Sequence, residues 1–189
     1  RTIRQSIEKI APALSRVLIN GPSGSGKELA ARAIHSQSER CNERFVVANC
    51  ARLASERVDS ELFGAENLQS HRRVVGLFEQ AHRGTLYFDE ICDLPMETQG
   101  KIVRAVNEQR FRRIGGNTEV VVDVRVISAS SRDLPNEISE GRLREDLYYR
   151  LGVVPLSMPP LADRREDIPV LAKYFTNRIA RRIGVQPIK

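Results

Sequence analysis

Val17-Leu18-Ile19-Asn20 runs directly into Gly21-Pro22-Ser23-Gly24-Ser25-Gly26-Lys27-Glu28. A short apolar strand that enters a glycine-rich loop and then a helix is typical of proteins that bind a nucleoside triphosphate. The backbone N–H groups of such a loop point at the phosphates, and its lysine, here Lys27, reaches the β- and γ-phosphates. The sequence therefore predicts a nucleotide site along residues 21–28.

A second motif supplies the metal contact that the first one lacks. Glu28 stands where such loops usually carry a serine or threonine for Mg²⁺. Thr85-Leu86-Tyr87-Phe88-Asp89-Glu90 reads as a buried parallel strand that ends in two carboxylates, at the edge of a sheet where α/β proteins bind ligands. We assign Mg²⁺ binding to Asp89 and the activation or orientation of water to Glu90. Alone, each motif is also compatible with a structural turn; together, in this order, they favour a nucleotide site.

The bulk composition is that of a folded domain. The chain has 189 residues, of which 41% are hydrophobic and 29% charged, and it contains no apolar run of membrane-spanning length. Residues 1–6 lack the apolar core and cleavage site of a signal peptide, so we expect none. We therefore expect a soluble, cytoplasmic protein with no membrane partner. The three cysteines and three histidines lack metal-ligand spacing, so we assign no disulfide, zinc site or catalytic role to Cys41, Cys50, Cys92, His35, His71 or His82.

The basic balance of the chain raises the question of nucleic-acid binding. The net charge is +6 and the pI is about 9.6, and Arg110-Phe111-Arg112-Arg113 is a local cluster of cations. However, the basic residues are spread along the chain without interleaved aromatic residues, and no helix-turn-helix or zinc module is present. A solvated basic face or a subunit contact is favoured over direct DNA binding.

Apolar runs separated by helical segments predict the fold class. Beyond the first strand they occur at 45–47, 86–88, 124–127 and 153–156. Helices are expected around Ile3, Ile7 and Ile10 and between Glu97 and Gln109, and residues 111–117 read as a strand entering a hairpin turn. This alternation predicts an α/β fold with three layers around a central parallel sheet.

Residues 159–160, a pair of prolines, mark a change of composition near the end of the chain. We expect an α/β core over residues 1–160 and a linker with a helix over 161–189, whose apolar face is formed by Ile168, Leu171, Ala172, Phe175 and Ile179. So short a segment cannot bury a core of its own. The sequence is therefore expected to be part of a longer protein.

Five motifs carry a family resemblance: GPSGSGKE, ELFG at 61–64, GTLYFDEI at 84–91, REDLYYRL at 144–151 and PPLADRREDIP at 159–169. In this order they closely resemble the central AAA+ domain of bacterial enhancer-binding transcription activators. The resemblance implies a P-loop NTPase fold followed by the start of a helical lid. It also implies binding and hydrolysis of ATP with Mg²⁺, ring hexamers or heptamers, and remodelling of sigma-54 RNA polymerase. Such domains lie between a receiver or sensor domain and a DNA-binding helix-turn-helix. Where a receiver domain is present, it is the partner of a sensor kinase.

The resemblance also assigns further site residues. Asn49 matches the asparagine that holds the catalytic glutamate inactive, and Ser131 occupies the first sensor position, where the family more often has threonine followed by asparagine. Arg144 and Arg150 match two arginines that neighbouring subunits supply to the γ-phosphate, although surface ion pairing is the alternative for both. The second sensor arginine of the family is expected beyond Lys189.

Residues 65–75 depart from the family pattern. The family carries a GAFTGA loop there that contacts sigma-54, whereas this chain reads AENLQSHRRVV, without glycine or an aromatic residue. The whole pattern is most similar to NtrX-type response regulators of two-component systems, whose alphaproteobacterial members lack the same loop and are associated with nitrogen metabolism.

Two functions of different classes follow. The leading hypothesis is an ATPase domain of an NtrX-like response regulator that controls transcription without contacting sigma-54. The alternative is a nucleotide-dependent oligomerisation switch whose hydrolysis is vestigial; the altered loop and Ser131 favour it, and Glu90 argues against it. An intrinsic DNA-binding domain is a third and weaker hypothesis.

Overall fold

The computed structural model describes residues 2–67, 69 and 72–184, and the chain forms two compact units, Arg1–Met158 and Pro159–Lys189. The helices of the first unit are α1 (Thr2–Ile10), α2 (Lys27–Ser36), α3 (Val58–Phe63), α4 (Leu77–Gln80), α5 (Met96–Glu108), α6 (Leu134–Ser139) and α7 (Glu145–Leu151). Its strands are β1 (Val17–Asn20), β2 (Phe45–Asn49), β3 (Ala65–Asn67), β4 (Arg72–Val74), β5 (Thr85–Asp89), β6 (Arg110–Arg112), β7 (Glu119–Val121), β8 (Arg125–Ser130) and β9 (Val154–Ser157). Short 3-10 turns occupy Cys50–Arg52 and Ile91–Asp93.

Five parallel strands form the central sheet in the order β2-β5-β8-β1-β9. Since all run in one direction, the residues that follow β1, β5 and β8 emerge at the same edge. These are the glycine-rich loop, the second acid of the Asp89-Glu90 pair and Ser131. The predicted α/β fold with a central parallel sheet is confirmed.

Alternating side chains on the strands create two apolar cores, one on each face of the sheet. Val17 and Ile19 of β1 pack in one core with residues of α1 and α2 such as Ile34. Leu18, between them in sequence, belongs to the other core, which includes Ile102 of α5 and further residues of α3, α4 and α7. The helices therefore cover both faces, as the three-layer prediction requires.

Two short antiparallel hairpins lie outside the central sheet, β3–β4 and β6–β7. The second agrees with the strand and turn predicted after Phe111. The first was not predicted, because its strands AEN and RRV are three residues each and carry no apolar alternation. Three residues of the segment where the family carries its GAFTGA loop, Leu68, Ser70 and His71, lie outside the described residues.

The second unit contains 3-10 turns at Leu161–Asp163 and Arg165–Asp167 and the helix α8 (Ile168–Ile183). A proline in the first turn and Gly184 at the C-cap, with φ of 73°, give this helix defined ends. It coincides with the helix predicted from the spacing of Ile168 and Phe175. Among the described helices of both units, none is long and apolar enough to cross a membrane.

Gly21 is packed so closely that a side chain cannot be added without moving the backbone. A Cβ on Gly21 would lie 2.5 Å from the Met158 carbonyl oxygen and 2.7 Å from Met158 Cβ. We expect Gly21→Ala to lower the free energy of unfolding by about 1–3 kcal/mol. Gly100, inside α5, is the matched control: its added Cβ approaches only the Arg144 guanidinium, at 3.5 Å, and Gly100→Ala should stabilise the chain by roughly 0.5–1 kcal/mol. Urea unfolding of both variants measures this, and equal stability of Gly21→Ala and the wild type would contradict the close approach.

Candidate functional site

The glycine-rich loop connects β1 to α2 at the carboxyl edge of the sheet. Gly24 and Gly26 have φ of 74° and 94°, which glycine adopts without strain. Gly26 is the N-cap of α2 and provides no side-chain hydrogen bond to the first turn of that helix. The N–H groups of the first turn of α2 have no acceptor within the helix, and together with the helix dipole they favour an anion at this position.

Lys27 connects the loop to the end of a strand two positions away in the sheet. Its side chain is only 6% exposed, and Nζ donates to the carbonyl oxygens of Gly21 at 3.0 Å and Pro22 at 3.3 Å. The same Nζ lies 3.2 Å from Glu90 Oε1. A buried ammonium needs such partners, and here they come from both the loop and the acidic strand end.

Asp89 and Glu90 sit side by side at the end of β5 but have different surroundings. The Tyr87 hydroxyl donates to Asp89 Oδ1 at 3.0 Å, and burial together with the Asp89 charge raises the pKa of Tyr87, so Tyr87 stays protonated as a donor. Glu90 has a left-handed backbone with φ of 56° and ψ of 60°. That conformation is uncommon for a residue with a side chain and occurs preferentially at functional sites.

Ser131 is a direct partner of Glu90. Its backbone N–H donates to Glu90 Oε2 at 2.8 Å and its hydroxyl donates to the same oxygen at 2.9 Å. Since Lys27 holds Oε1, both carboxylate oxygens of Glu90 are engaged. Glu90 follows β5 and contacts Ser131, which follows β8, and Lys27, which lies in the loop and helix after β1. Residues beyond the ends of three neighbouring strands of the sheet are thereby in contact.

The loop and the acids line one open cleft of about 260 Å³, whose wall is formed by Ser23, Gly24, Gly26, Lys27, Glu28, Asp89 and Glu90. Within it, Glu28 is half-exposed and pairs with Arg32 at 2.8 Å. Magnesium prefers oxygen ligands and is usually held by one or two carboxylates together with phosphate oxygens. The carboxylate of Asp89, beside a phosphate-binding loop, fits that donor set.

Asn49, the predicted switch residue, ends β2 and is paired in register with Asp89. Its side chain is not among the hydrogen-bond partners of Glu90 in the described part of the chain, where Lys27 and Ser131 occupy both carboxylate oxygens. Its role as a switch stays a prediction.

Arg144 and Arg150 are not part of the cleft wall in their own chain. Arg144 forms a two-pronged pair with Asp146, at 2.9 and 2.8 Å, and this contact raises the pKa of Arg144 and lowers that of Asp146. Arg150 is at the last turn of α7, close to Val153 and the edge where the strands begin. The cleft therefore does not receive either guanidinium from the same chain.

Sequence reasoning missed the buried carboxylate of Glu137, which holds two arginines close to Ser131. Glu137 accepts hydrogen bonds from Arg132 at 3.1 Å and from Arg142 at 2.9 and 2.6 Å. The bonds from Arg142 and then Arg132 lower the pKa of Glu137 from 4.5 to about 2. Arg132 follows Ser131 in sequence and also pairs with Asp93. Charged residues in RDLPNEISEGR carry no periodic signal, so sequence spacing alone does not single out Glu137.

Gln99 links this segment to Arg144. Its buried amide donates to the carbonyl oxygens of Leu94 at 2.9 Å and Arg142 at 2.8 Å and accepts from the Arg144 N–H at 2.9 Å. A buried glutamine inside the mostly polar helix α5 is invisible to hydrophobic periodicity. Two of its three partners, Arg142 and Arg144, lie more than 40 residues away in sequence.

The sheet order and the loop, lysine and acid pair together define an AAA+ P-loop nucleotide-binding domain. Residues 1–157 match the sigma-54 interaction domain family, and the chain belongs to that family. The family resemblance inferred from the five motifs is thereby confirmed.

Several relatives match nearly the whole chain. It is 51% identical over 184 residues to the nitrogen assimilation regulatory protein NtrX of Azorhizobium caulinodans, covering 97% of this chain and 40% of that protein. A crystal structure of NtrX from Brucella abortus matches with a TM-score of 0.95 and 52% identity, covering 100% of this chain and 43% of that one. The structure of the same protein in complex with ATP matches with a TM-score of 0.92 and 51% identity, covering 100% and 43%. The chain thus spans about two fifths of the length of these relatives.

We expect Glu137→Gln to lower the free energy of unfolding at pH 7 by about 1–3 kcal/mol, because two arginines lose their shared charge. The folded pKa of about 2 lies below the ordinary 4.5, so this stabilisation is present above pH 4.5 and is lost as the pH falls toward 2. The difference between wild type and variant should therefore shrink between pH 5 and pH 2. Urea unfolding at several pH values measures it, with Glu39→Gln, an exposed carboxylate, as the control. A difference independent of pH would contradict this account.

Proposed function

We propose that this chain is the ATP-binding and ATP-hydrolysing AAA+ domain of an NtrX-like response regulator that controls transcription. The observation that carries the proposal is the meeting of Lys27, Asp89 and Glu90 in one cleft, with Lys27 Nζ 3.2 Å from Glu90 Oε1. The ATP complex of the Brucella abortus relative supports ATP as the nucleotide.

The proposed reaction is the in-line attack of water on the γ-phosphate. The loop N–H groups and Lys27 hold the phosphates. Asp89 would hold Mg²⁺, which would neutralise phosphate charge. Glu90 orients the attacking water, which requires that its carboxylate leave at least one of its present partners, Lys27 or Ser131. A bound phosphate that pairs with the Lys27 ammonium breaks the contact between Lys27 and Glu90. Nucleotide binding thereby makes Glu90 available for catalysis.

Assembly into a ring completes the site in this proposal. Charge that develops on the γ-phosphate needs a cation beyond Lys27, and neither Arg144 nor Arg150 reaches the cleft of its own chain. A neighbouring copy supplies them across the interface. A ring of six or seven copies, as in the resembling family, is one such arrangement.

One observation favours the second candidate, a nucleotide-dependent oligomerisation switch with vestigial hydrolysis. Both oxygens of Glu90 are engaged, Oε1 by Lys27 and Oε2 twice by Ser131. If Ser131 retains Glu90 when nucleotide is bound, ATP alters assembly without efficient turnover.

The partners of the longer protein belong to the same proposal. By its likeness to response regulators, we place it in the cytoplasm, with a receiver domain for a sensor kinase, a helix-turn-helix for DNA and RNA polymerase as the target. The segment AENLQSHRRVV has no aromatic residue, which supports transcription control without the sigma-54 contact of a GAFTGA loop.

ATP turnover per chain should rise with protein concentration, because the arginines come from a neighbour. Arg150→Ala should lower turnover at least ~100-fold while ATP binding is retained, and Arg104→Ala, an exposed arginine outside the site, should not change it. Steady-state phosphate release over a wide concentration range measures this, on a chain extended through the complete lid. Nucleotide binding with flat, near-zero turnover would favour the switch instead.

Glu90→Gln separates the two candidates further. The amide is close in size but cannot act as a base or as the anionic partner of Lys27. We expect ATP binding to persist and turnover to fall by roughly 100-fold or more. The readouts are binding of a fluorescent ATP analogue, single-turnover hydrolysis and ATP-dependent assembly by light scattering. Unchanged regulation by a variant that binds ATP but does not hydrolyse it would support the switch.

A further inference from the structure

A second cavity, of about 400 Å³, lies at the amino edge of the sheet. Arg16 directly precedes β1, Arg125 begins β8 and Val153 directly precedes β9, and all three line it. The nucleotide cleft is at the opposite edge, one strand length away; β1 has four residues, which span about 13 Å at about 3.3 Å each. Phosphates held at Lys27 therefore do not lie in this cavity of the same chain.

Arginines predominate among the charged residues that line the cavity in the described part of the chain. Arg16, Arg40, Arg125 and Arg150 line it, and Asp123 is the single carboxylate among the lining residues. Asp123 is already engaged, since its Oδ1 lies 2.6 Å from Arg40 Nη2. Three guanidinium groups are left without a carboxylate partner in the described part of the chain.

Arg125 is the most deeply buried of the three. It is 2% exposed, and it donates through Nη1 to the Ala11 carbonyl at 2.9 Å and through Nη2 to the Ile10 carbonyl at 3.1 Å. Its buried Nε has no hydrogen-bond partner among the described residues. A buried cation with an unsatisfied donor is costly unless an anion accompanies it.

The arginines also repel one another. Burial lowers the pKa of Arg16, and the charge of Arg150 lowers it further. Burial likewise lowers the pKa of Arg125, with a further contribution from Arg40. Like charges held together in a partly desolvated cavity favour the binding of an oxyanion, which relieves the repulsion.

We propose that this arginine pocket, defined by Arg16, Arg125 and Arg150, binds a phosphate group. Guanidinium groups present planar pairs of donors that match phosphate oxygens. The phosphate has two possible sources, a nucleotide held by a neighbouring copy or free inorganic phosphate. The first source rests on the proposed function, because Arg150 is the arginine assigned to the neighbour's γ-phosphate; it adds Arg16 and Arg125 to that interface. The second source does not depend on it.

Inorganic phosphate is the probe for the pocket, and Lys27→Ala is the background that weakens the nucleotide cleft. Phosphate should raise the Tm of Lys27→Ala, since a ligand that binds only the folded state stabilises it. Adding Arg16→Gln to the Lys27→Ala background should lower the phosphate affinity, measured by calorimetry, at least ~10-fold and remove the increase in Tm. Arg104→Gln, with the same loss of charge, should leave both unchanged. Without phosphate, Arg16→Gln should be no less stable than its background, because Arg16 faces another cation.

An equal phosphate response with and without Arg16→Gln, or none in Lys27→Ala, overturns the proposal. Mixed-chain ATPase assays then separate the two sources. If the phosphate is a neighbour's, Arg16→Gln alone turns over slowly, and mixing with inactive Lys27→Ala restores activity, since one chain supplies the cleft and the other the arginines. If it is free phosphate, Arg16→Gln turns over like the wild type. Absence of turnover in the wild type would reject the proposed function and leave the phosphate measurement decisive for the pocket.

Discussion

The contact between Lys27 and Glu90 is the interaction on which the arrangement of the site depends. Lys27 is almost fully buried, and its ammonium is satisfied by two loop carbonyls and by Glu90. Displacing the loop or the end of β5 leaves a buried charge unpaired, which costs several kcal/mol (~3–5). The two strand ends are therefore fixed relative to each other, although β8 lies between β1 and β5.

Ser131 directly follows β8, the strand that lies between β1 and β5. It binds Glu90 through backbone and hydroxyl, and the next residue, Arg132, is anchored by Glu137. Glu137 also holds Arg142, whose carbonyl is bonded by Gln99, and Gln99 in turn receives the Arg144 N–H. A continuous set of polar contacts thus runs from the nucleotide cleft to the start of α7, the helix that ends at the edge with Arg150.

The two edges of the sheet have contrasting electrostatics. The carboxyl edge combines one cation, Lys27, with three carboxylates in a cleft suited to a metal and a phosphate chain. The amino edge gathers arginines with a single carboxylate, which is already paired. A compact fold tolerates such an imbalance more readily when an anion from outside the chain completes it, and this is the physical basis of the phosphate site that we propose at this edge.

The sequence by itself determined the strand, loop and helix around Gly21 and Lys27 and the acidic end of β5, because these depend on residues adjacent in the chain: apolar runs, glycines at positive φ and carboxylates at a strand end. It also gave the parallel sheet, through the alternation of apolar runs and helices. Only the tertiary structure decided the partners of Glu90, the burial of Glu137, the pairing of β3 with β4 and the convergence of Arg16, Arg125 and Arg150. These contacts join residues that are mostly far apart in sequence, and which of them meet is set by strand order and helix packing, which no local pattern encodes.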